Sequence, residues 1–197
     1  VPRRFLQVMD LQRQSLPADQ SGRLQLARWL TQPDSAAGGL VSRVIVNRIW
    51  HWHLGRGIVG TPDNLGVRGN RPTHPLLLDF LARRFIRDSW SIKSMHRLLM
   101  LSSTYQMSAH HVATDSARID PENRFYWRFK RRRLEAEEIR DTLLMHAGRL
   151  DRSLGGAPPK VKSQDLSPVD LMANRRFYET FRRRAVYLPV VRTNVDK

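Results

Sequence analysis

Apolar residues recur along this chain mainly at helical spacing, and glycine and proline cut the pattern into blocks. Residues 1–20 show no sustained period and carry Pro2 and Pro17, which reads as an extended lead-in. Ser21 can cap a short helix from Gly22 to Gln32, with Leu26, Trp29 and Leu30 inward and Pro33 as its stop. Residues 34–39 read as a small-residue loop. A central helix follows, in which Val41, Val44, Ile45, Ile49 and Trp52 share one broad face. Arg43, Asn47, Trp50 and Leu54 make a second stripe, so this helix is expected to be covered on most sides. Gly55 ends it with a stop of the left-handed kind. Between Arg56 and Arg71 come Gly57, Gly60, Pro62, Asp63, Asn64, Gly66, Gly69 and Asn70, all turn formers. A loop this long inside a compact domain points to a binding element, and Ile58, Val59, Leu65 and Val67 are expected to pack it down.

Thr73 can cap the next helix, with Pro75 in its first turn and its end at Arg87. Leu77, Leu78, Leu81 and Phe85 form its core side, and Arg83, Arg84 and Arg87 lie outward. Ser91 caps a further helix, with Trp90 placed to staple onto Met95. Residues 102–116 read as polar loop. Asp120-Pro121 predicts another helix start, and the pattern stays helical to Leu150 through Ile139, Thr142, Leu143, His146 and Ala147. Residues 184–191 read as a strand. The expected fold is mostly α: a compact multi-helix domain with a long glycine-rich loop after the central helix and at most a short strand near the C-terminus. Its parts are an extended lead-in over 1–20, a helical core over 21–156 and a loop-rich C-terminal part over 157–197. Ile45, Trp52, Leu81, Leu99 and Leu143 are expected to share one core.

Composition narrows the class. A chain of 197 residues is long enough to bury a core without staples. No apolar run is long enough to span a bilayer, and the absence of cysteine excludes disulfides, thiolate zinc sites and thiol nucleophiles. The chain starts at Val1 rather than Met and is expected to be a piece of something longer. The net charge of +16 is carried mostly by arginine, which suggests an anionic partner: nucleic acid, an acidic lipid surface, a polyanionic glycan or an acidic domain of the parent chain. The charge is spread, with runs only at 130–133 and 182–184. Arginine–carboxylate pairing also raises arginine content, so nucleic acid ranks lower among these partners.

Several constellations suggest chemistry. Gly55-Arg56-Gly57-Ile58-Val59-Gly60 fits the dinucleotide pattern G-x-G-x-x-G, with Asp79 downstream. That use requires a strand before the first glycine and a helix after it, whereas here a helix ends at Gly55, so no nucleotide cofactor is expected. His51 and His53 are two apart on a helix and point away from each other, so no metal site is expected. Asn47, Arg48 and His51 share a sector of the central helix beside the loop that supplies Arg56, Asp63, Asn64 and Arg68. Either these polar groups tie the loop to the helix, or they line an anion or sugar pocket. In the first case Asn47 or Arg48 bonds backbone carbonyls of residues 56–69, and Arg56 and Arg68 face a ligand. Glu137, Glu138 and Asp141 share a helix face and are carboxylates of the kind that do acid–base work, as is Asp63. Arg131, Arg132, Arg133 and Arg140 beside them favour a salt-bridge ladder instead.

The blocks LARWLTQPD, NRIW-x-x-x-LGRGIV, THPLLLDFLARRFI, WSIKSMHRLLMLSSTYQMS, RRRLEAE-x-IRD and GRLDRSLGG, in this order, resemble the planctomycete-type PSD-one domain. The resemblance runs from about Leu24 to Val191. It implies a domain of unknown function within a large, usually exported, modular protein (periplasmic or extracellular), and it assigns no reaction. It also makes other domains of the parent, or an acidic or sulfated glycan, conceivable partners. The expected role is that of an accessory or interaction module, with Asn47, Arg48, His51, Arg56, Asn64 and Arg68 as binding residues. The alternatives are a glycan-active enzyme using Glu138 and Asp141 or Asp63, and a nucleic-acid-binding domain.

Overall fold

A computed structural model describes residues 3–9, 16, 19–111, 113–156 and 181–188. The predicted loop-rich stretch over 157–180 and the last residues of the predicted strand lie outside them. The chain divides into two units, Val1–Arg132 and Arg133–Lys197. The first contains α1 (Arg23–Thr31), α2 (Ala36–Leu54), α3 (Pro75–Arg87), α4 (Ile92–Met100) and α5 (Thr114–Ile119). The second contains α6 (Ala136–His146) and a short 3-10 turn, Ala185–Tyr187. The fold is mostly helical, as the spacing predicts, and the described residues contain no strand.

In the first unit α2 is the axis. It begins earlier than predicted: the Ser35 hydroxyl accepts from the Gly38 amide at 2.9 Å. The supposed small-residue loop is therefore this helix's capped first turn. At the other end Gly55, at φ 76°, closes the helix by donating to the His51 carbonyl at 2.8 Å. The core joins Val46, Ile49, Trp50 and Leu54 of α2 to Leu78, Leu81 and Phe85 of α3 and Met95 and Leu99 of α4. Ile58, Val59 and Tyr126 complete it from non-helical chain.

The expected five-residue core is corrected by this packing. Leu81 and Leu99 are buried and Ile45 packs against the cluster, but Trp52 is 68% exposed and Leu143, in the second unit, 65% exposed. The inward stripe of α2 is Ser42, Val46, Asn47, Ile49, Trp50 and Leu54. Two of its members are polar, so a ranking by hydrophobicity turns the helix the wrong way. Leu26 and Val67, also expected inward, are exposed. Trp29 of α1 is buried as expected, stacked on Phe5 at 4.8 Å between ring centroids.

Thr73 does not cap α3. Its amide and hydroxyl both donate to the Ile58 carbonyl, at 2.9 and 3.2 Å, and so fasten the glycine loop to the start of that helix. Ser91 caps α4 by accepting from the Ser94 amide at 3.2 Å. Between the two helices the Ser94 hydroxyl (2.6 Å) and the Arg84 guanidinium hold the Asp88 carboxyl below the usual range. Trp90 lies edge-on to Phe85 at 5.3 Å.

The helix predicted from Asp120 to Leu150 is much shorter, and α5 occupies part of the predicted loop over 102–116. The Asp120 carboxylate accepts from the amides of Arg124 and Phe125 at 2.9 and 2.8 Å, which wraps the chain into a compact turn. In the second unit α6 opens with a capping box between Glu135 and Glu138. Asp141 accepts twice from the Ala185 amide, at 2.9 and 3.0 Å, and Arg140 donates to the carbonyls of Phe181 and Arg183. These bonds give the segment predicted as a strand a 3-10 turn.

One polar contact crosses from α2 to α4: His53 Nε2 lies 2.6 Å from His96 Nδ1, with Tyr105 edge-on to the His53 ring. Burial, and secondarily His96, push the His53 pKa below its ordinary 6.5. The unfolded chain therefore binds the proton more readily than the folded one. Stability should be complete above pH 6.5 and fall as the pH drops below it. Urea melts at stepped pH should show this decline, and His53→Gln should reduce it. In the same assay Leu81→Ala should cost about 2–5 kcal/mol, and Trp52→Ala less than about 0.5 kcal/mol.

Candidate functional site

Asn47 is fully buried on α2, where its carboxamide needs both a donor and an acceptor. Val59 supplies them: its amide donates to Asn47 Oδ1 at 2.9 Å and its carbonyl accepts from Asn47 Nδ2 at 3.1 Å. The side chain thus pairs with the loop backbone as a neighbouring strand would. The fit is close. A Cβ on Gly57 would lie 2.4 Å from the Val59 carbonyl and 2.9 Å from the Asn47 amide group, so only glycine leaves room. Beyond Val59 the loop closes on itself. The Thr61 hydroxyl donates to the Asn64 carbonyl at 2.8 Å and accepts from the Asn70 amide at 2.9 Å.

Once pinned, the loop sets the start of a second structure. The Arg56 carbonyl accepts from the Tyr126 hydroxyl at 3.2 Å, and the Tyr126 ring stands edge-on to buried Trp50 at 5.3 Å. Burial pushes the Tyr126 hydroxyl above its ordinary 10.0. Tyr126 and Asn123 hold left-handed backbone at φ 55° and 54°, a costly conformation for a bulky residue such as tyrosine. The surrounding bonds enforce it. Asn123 Nδ2 donates to the Arg128 carbonyl at 2.8 Å, and the Trp127 indole donates to the Asp120 carbonyl at 2.9 Å.

This knotted turn forms one wall of a cleft of about 510 Å³. Arg56, Arg128, Lys130 and Arg131 line it with the carboxylate of Glu122, and Asn123 and Phe129 contribute as well. Arg56 lies 3.4 Å from Glu122, and the Arg128 guanidinium sits over the Trp127 ring at 4.6 Å. Four cations and one carboxylate share a partly enclosed space, an arrangement that attracts multiply charged anions.

The match to known families runs through these same segments. Residues 22–197 match the family PSD1, described as a protein of unknown function (DUF1553). The chain belongs to the PSD1 family. No curated protein and no solved structure matches it.

In this PSD1 domain the residues singled out from the sequence take separate places. Asn47 turns inward to the loop, and Arg48 ion-pairs with Asp63 on the exposed side of α2. His51 is half-buried beside Trp52, and its Nδ1 has no partner among the described residues. Asn64 accepts from the Gly66 amide at 3.0 Å and shapes the loop tip, where Arg68 is exposed. Only Arg56 reaches the cleft. Glu138 and Asp141 are bound to backbone amides in the second unit. Among the described residues no group of three or more His, Cys, Asp or Glu could hold a metal ion.

In the sequence Lys130 and Arg131 stand only as part of the charge run at 130–133 within a predicted helix, and Arg128 lies outside that run. Asp120, Pro121 and Asn123, all turn formers, were the signal that the chain folds back there.

Replacing Asn47 with leucine leaves the Val59 amide and carbonyl buried without partners, and should destabilise the first unit by at least about 2 kcal/mol. Arg48→Ala removes an exposed ion pair and should cost less than about 1 kcal/mol. Denaturant melts of the two variants test this contrast.

Proposed function

We propose that this domain is an accessory binding module of a larger, exported protein of planctomycete type, the setting that the family resemblance implies. In this reading it docks an acidic or sulfated glycan in the cleft between the glycine loop and the turn at 120–131. One observation carries the proposal: Arg56, Arg128, Lys130 and Arg131 line that cleft against the single carboxylate of Glu122. Guanidinium groups bind sulfate and carboxylate through paired donors, and Arg128 is already oriented by its seat on Trp127.

Two features weigh against an enzyme. The sequence's best acid–base candidates, Glu138 and Asp141, each accept from a backbone amide, and Asp141 is also paired with Arg140. Asp63 is exposed and paired with Arg48. Against the nucleic-acid reading, Arg128 already covers one face of the Trp127 ring, which leaves Phe129 as the aromatic side chain that lines the cleft.

The test is a titration of the purified domain with heparin, chondroitin sulfate, polyglutamate and duplex DNA at low and high salt. Sulfated glycan should bind with an affinity that falls as salt rises. The triple variant Arg128→Ala, Lys130→Ala, Arg131→Ala should weaken that binding about tenfold or more, a loss of ~1.4 kcal/mol per decade. Equal binding by the triple variant would remove the cleft from the function. Tighter binding of DNA than of either glycan would transfer the site to nucleic acid.

A further inference from the structure

The outward face of α3 is independent of the cleft and has its own pattern. Leu76 and Phe80, one turn apart, are 84% and 55% exposed. Arg83 and Arg87 continue the same stripe at the next turns. The nearby carboxylates are already paired: Asp79 on this face with Arg43 across from α2, at 2.6 Å, and Asp88 beyond the helix end with Arg84, at 2.9 Å. Arg87 adds its field to Asp88, while Arg83 has no acidic side chain within ion-pair distance among the described residues. The stripe is therefore apolar at the N-terminal end of the helix and cationic at its C-terminal end.

Exposed large apolar side chains beside uncompensated charge are a common mark of an interaction surface. From Leu76 to Arg87 the stripe extends roughly 16 Å, about three helical turns. A partner helix of similar length can lay its side-chain ridges across such a face. We infer that the Leu76–Phe80–Arg83–Arg87 face of α3 docks an acidic amphipathic helix, whose apolar side chains meet Leu76 and Phe80 and whose carboxylates meet Arg83 and Arg87. Charge complementarity selects this occupant. A lipid surface fits less well, because a helix lying on a membrane separates apolar and cationic sides across its axis, whereas α3 separates them along it. Asp79 and Asp88 would also be brought against anionic headgroups.

The test uses the whole chain and three probes. These are a synthetic helical peptide with leucines on one face and glutamates beside them, a scrambled peptide of the same composition, and vesicles of phosphatidylcholine with phosphatidylglycerol. The amphipathic peptide should bind at least about tenfold more tightly than its scramble, equal to ~1.4 kcal/mol. Phe80→Ala and the pair Arg83→Ala with Arg87→Ala should each weaken it about tenfold, and the arginine pair should also flatten the salt dependence. All three side chains are exposed, so circular dichroism should show the fold unchanged. The triple cleft variant should bind the peptide like the wild type, which separates this surface from the glycan proposal. Equal affinity for the scramble, an unaffected Phe80→Ala variant, or binding to vesicles in preference to the peptide would each overturn the inference.

Discussion

Asn47 sits in the middle of an apolar helix with no access to water, where an unpaired carboxamide would cost several kcal/mol. The cheapest remedy available to a folding chain is a backbone amide and carbonyl on the same residue, presented at the spacing of a β-ladder. Val59 presents them, and only because Gly57 lets the backbone come close enough. The eleven residues between the two partners must therefore leave the helix, turn and come back. That return puts Ile58 and Val59 into the core beside Trp50 and Leu54.

The remaining architecture of the first unit follows from this return path. With Val59 fixed, the Ile58 carbonyl faces Thr73, which sets where α3 begins. The Arg56 carbonyl faces outward to Tyr126, which lets a turn with two left-handed residues dock on Trp50. Strained backbone of this kind persists when its surroundings over-determine it, and it gathers at functional sites. Here it precedes Arg128, Lys130 and Arg131, which line the cleft. A polar group buried for stability in α2 thus governs the placement of cations far along the sequence.

The helices and their inward sides were largely legible where the pattern was simple. α3 has Leu78, Leu81 and Phe85 buried as their helical spacing predicts, with Arg83 and Arg87 outward, although Leu76 and Phe80 stay exposed on the other side. In α2 both sides carry tryptophan, and the side that wins is the one with Asn47, since only there can the loop be paired. Hydrophobic ranking cannot see a hydrogen-bond partner twelve residues away. The turn at Asp120 failed for a similar reason: aspartate followed by proline opens helices and also closes tight turns, and the choice rests on which amides its carboxylate captures. Of the cleft, Arg56 alone was read as a binding residue. Lys130 and its neighbours read as a charge run beside a salt-bridge ladder, and what makes them a cleft is a fold-back that no periodicity records.

The Thr61 hydroxyl, which joins Asn64 to Asn70, leaves residues 62–69 as a cassette whose two ends are already stitched together. Lengthening a closed loop adds only about 0.6 kcal/mol per doubling of its length. The Asn47–Val59 anchor lies outside the stitch, while Leu65 within it packs against the core and Asp63 pairs with Arg48. The exposed tip at Gly66, Val67 and Arg68 is thus a place where insertions, or an entire grafted peptide, can be carried while Leu65 keeps its hold on the interior, so that the outline can diversify there around one core.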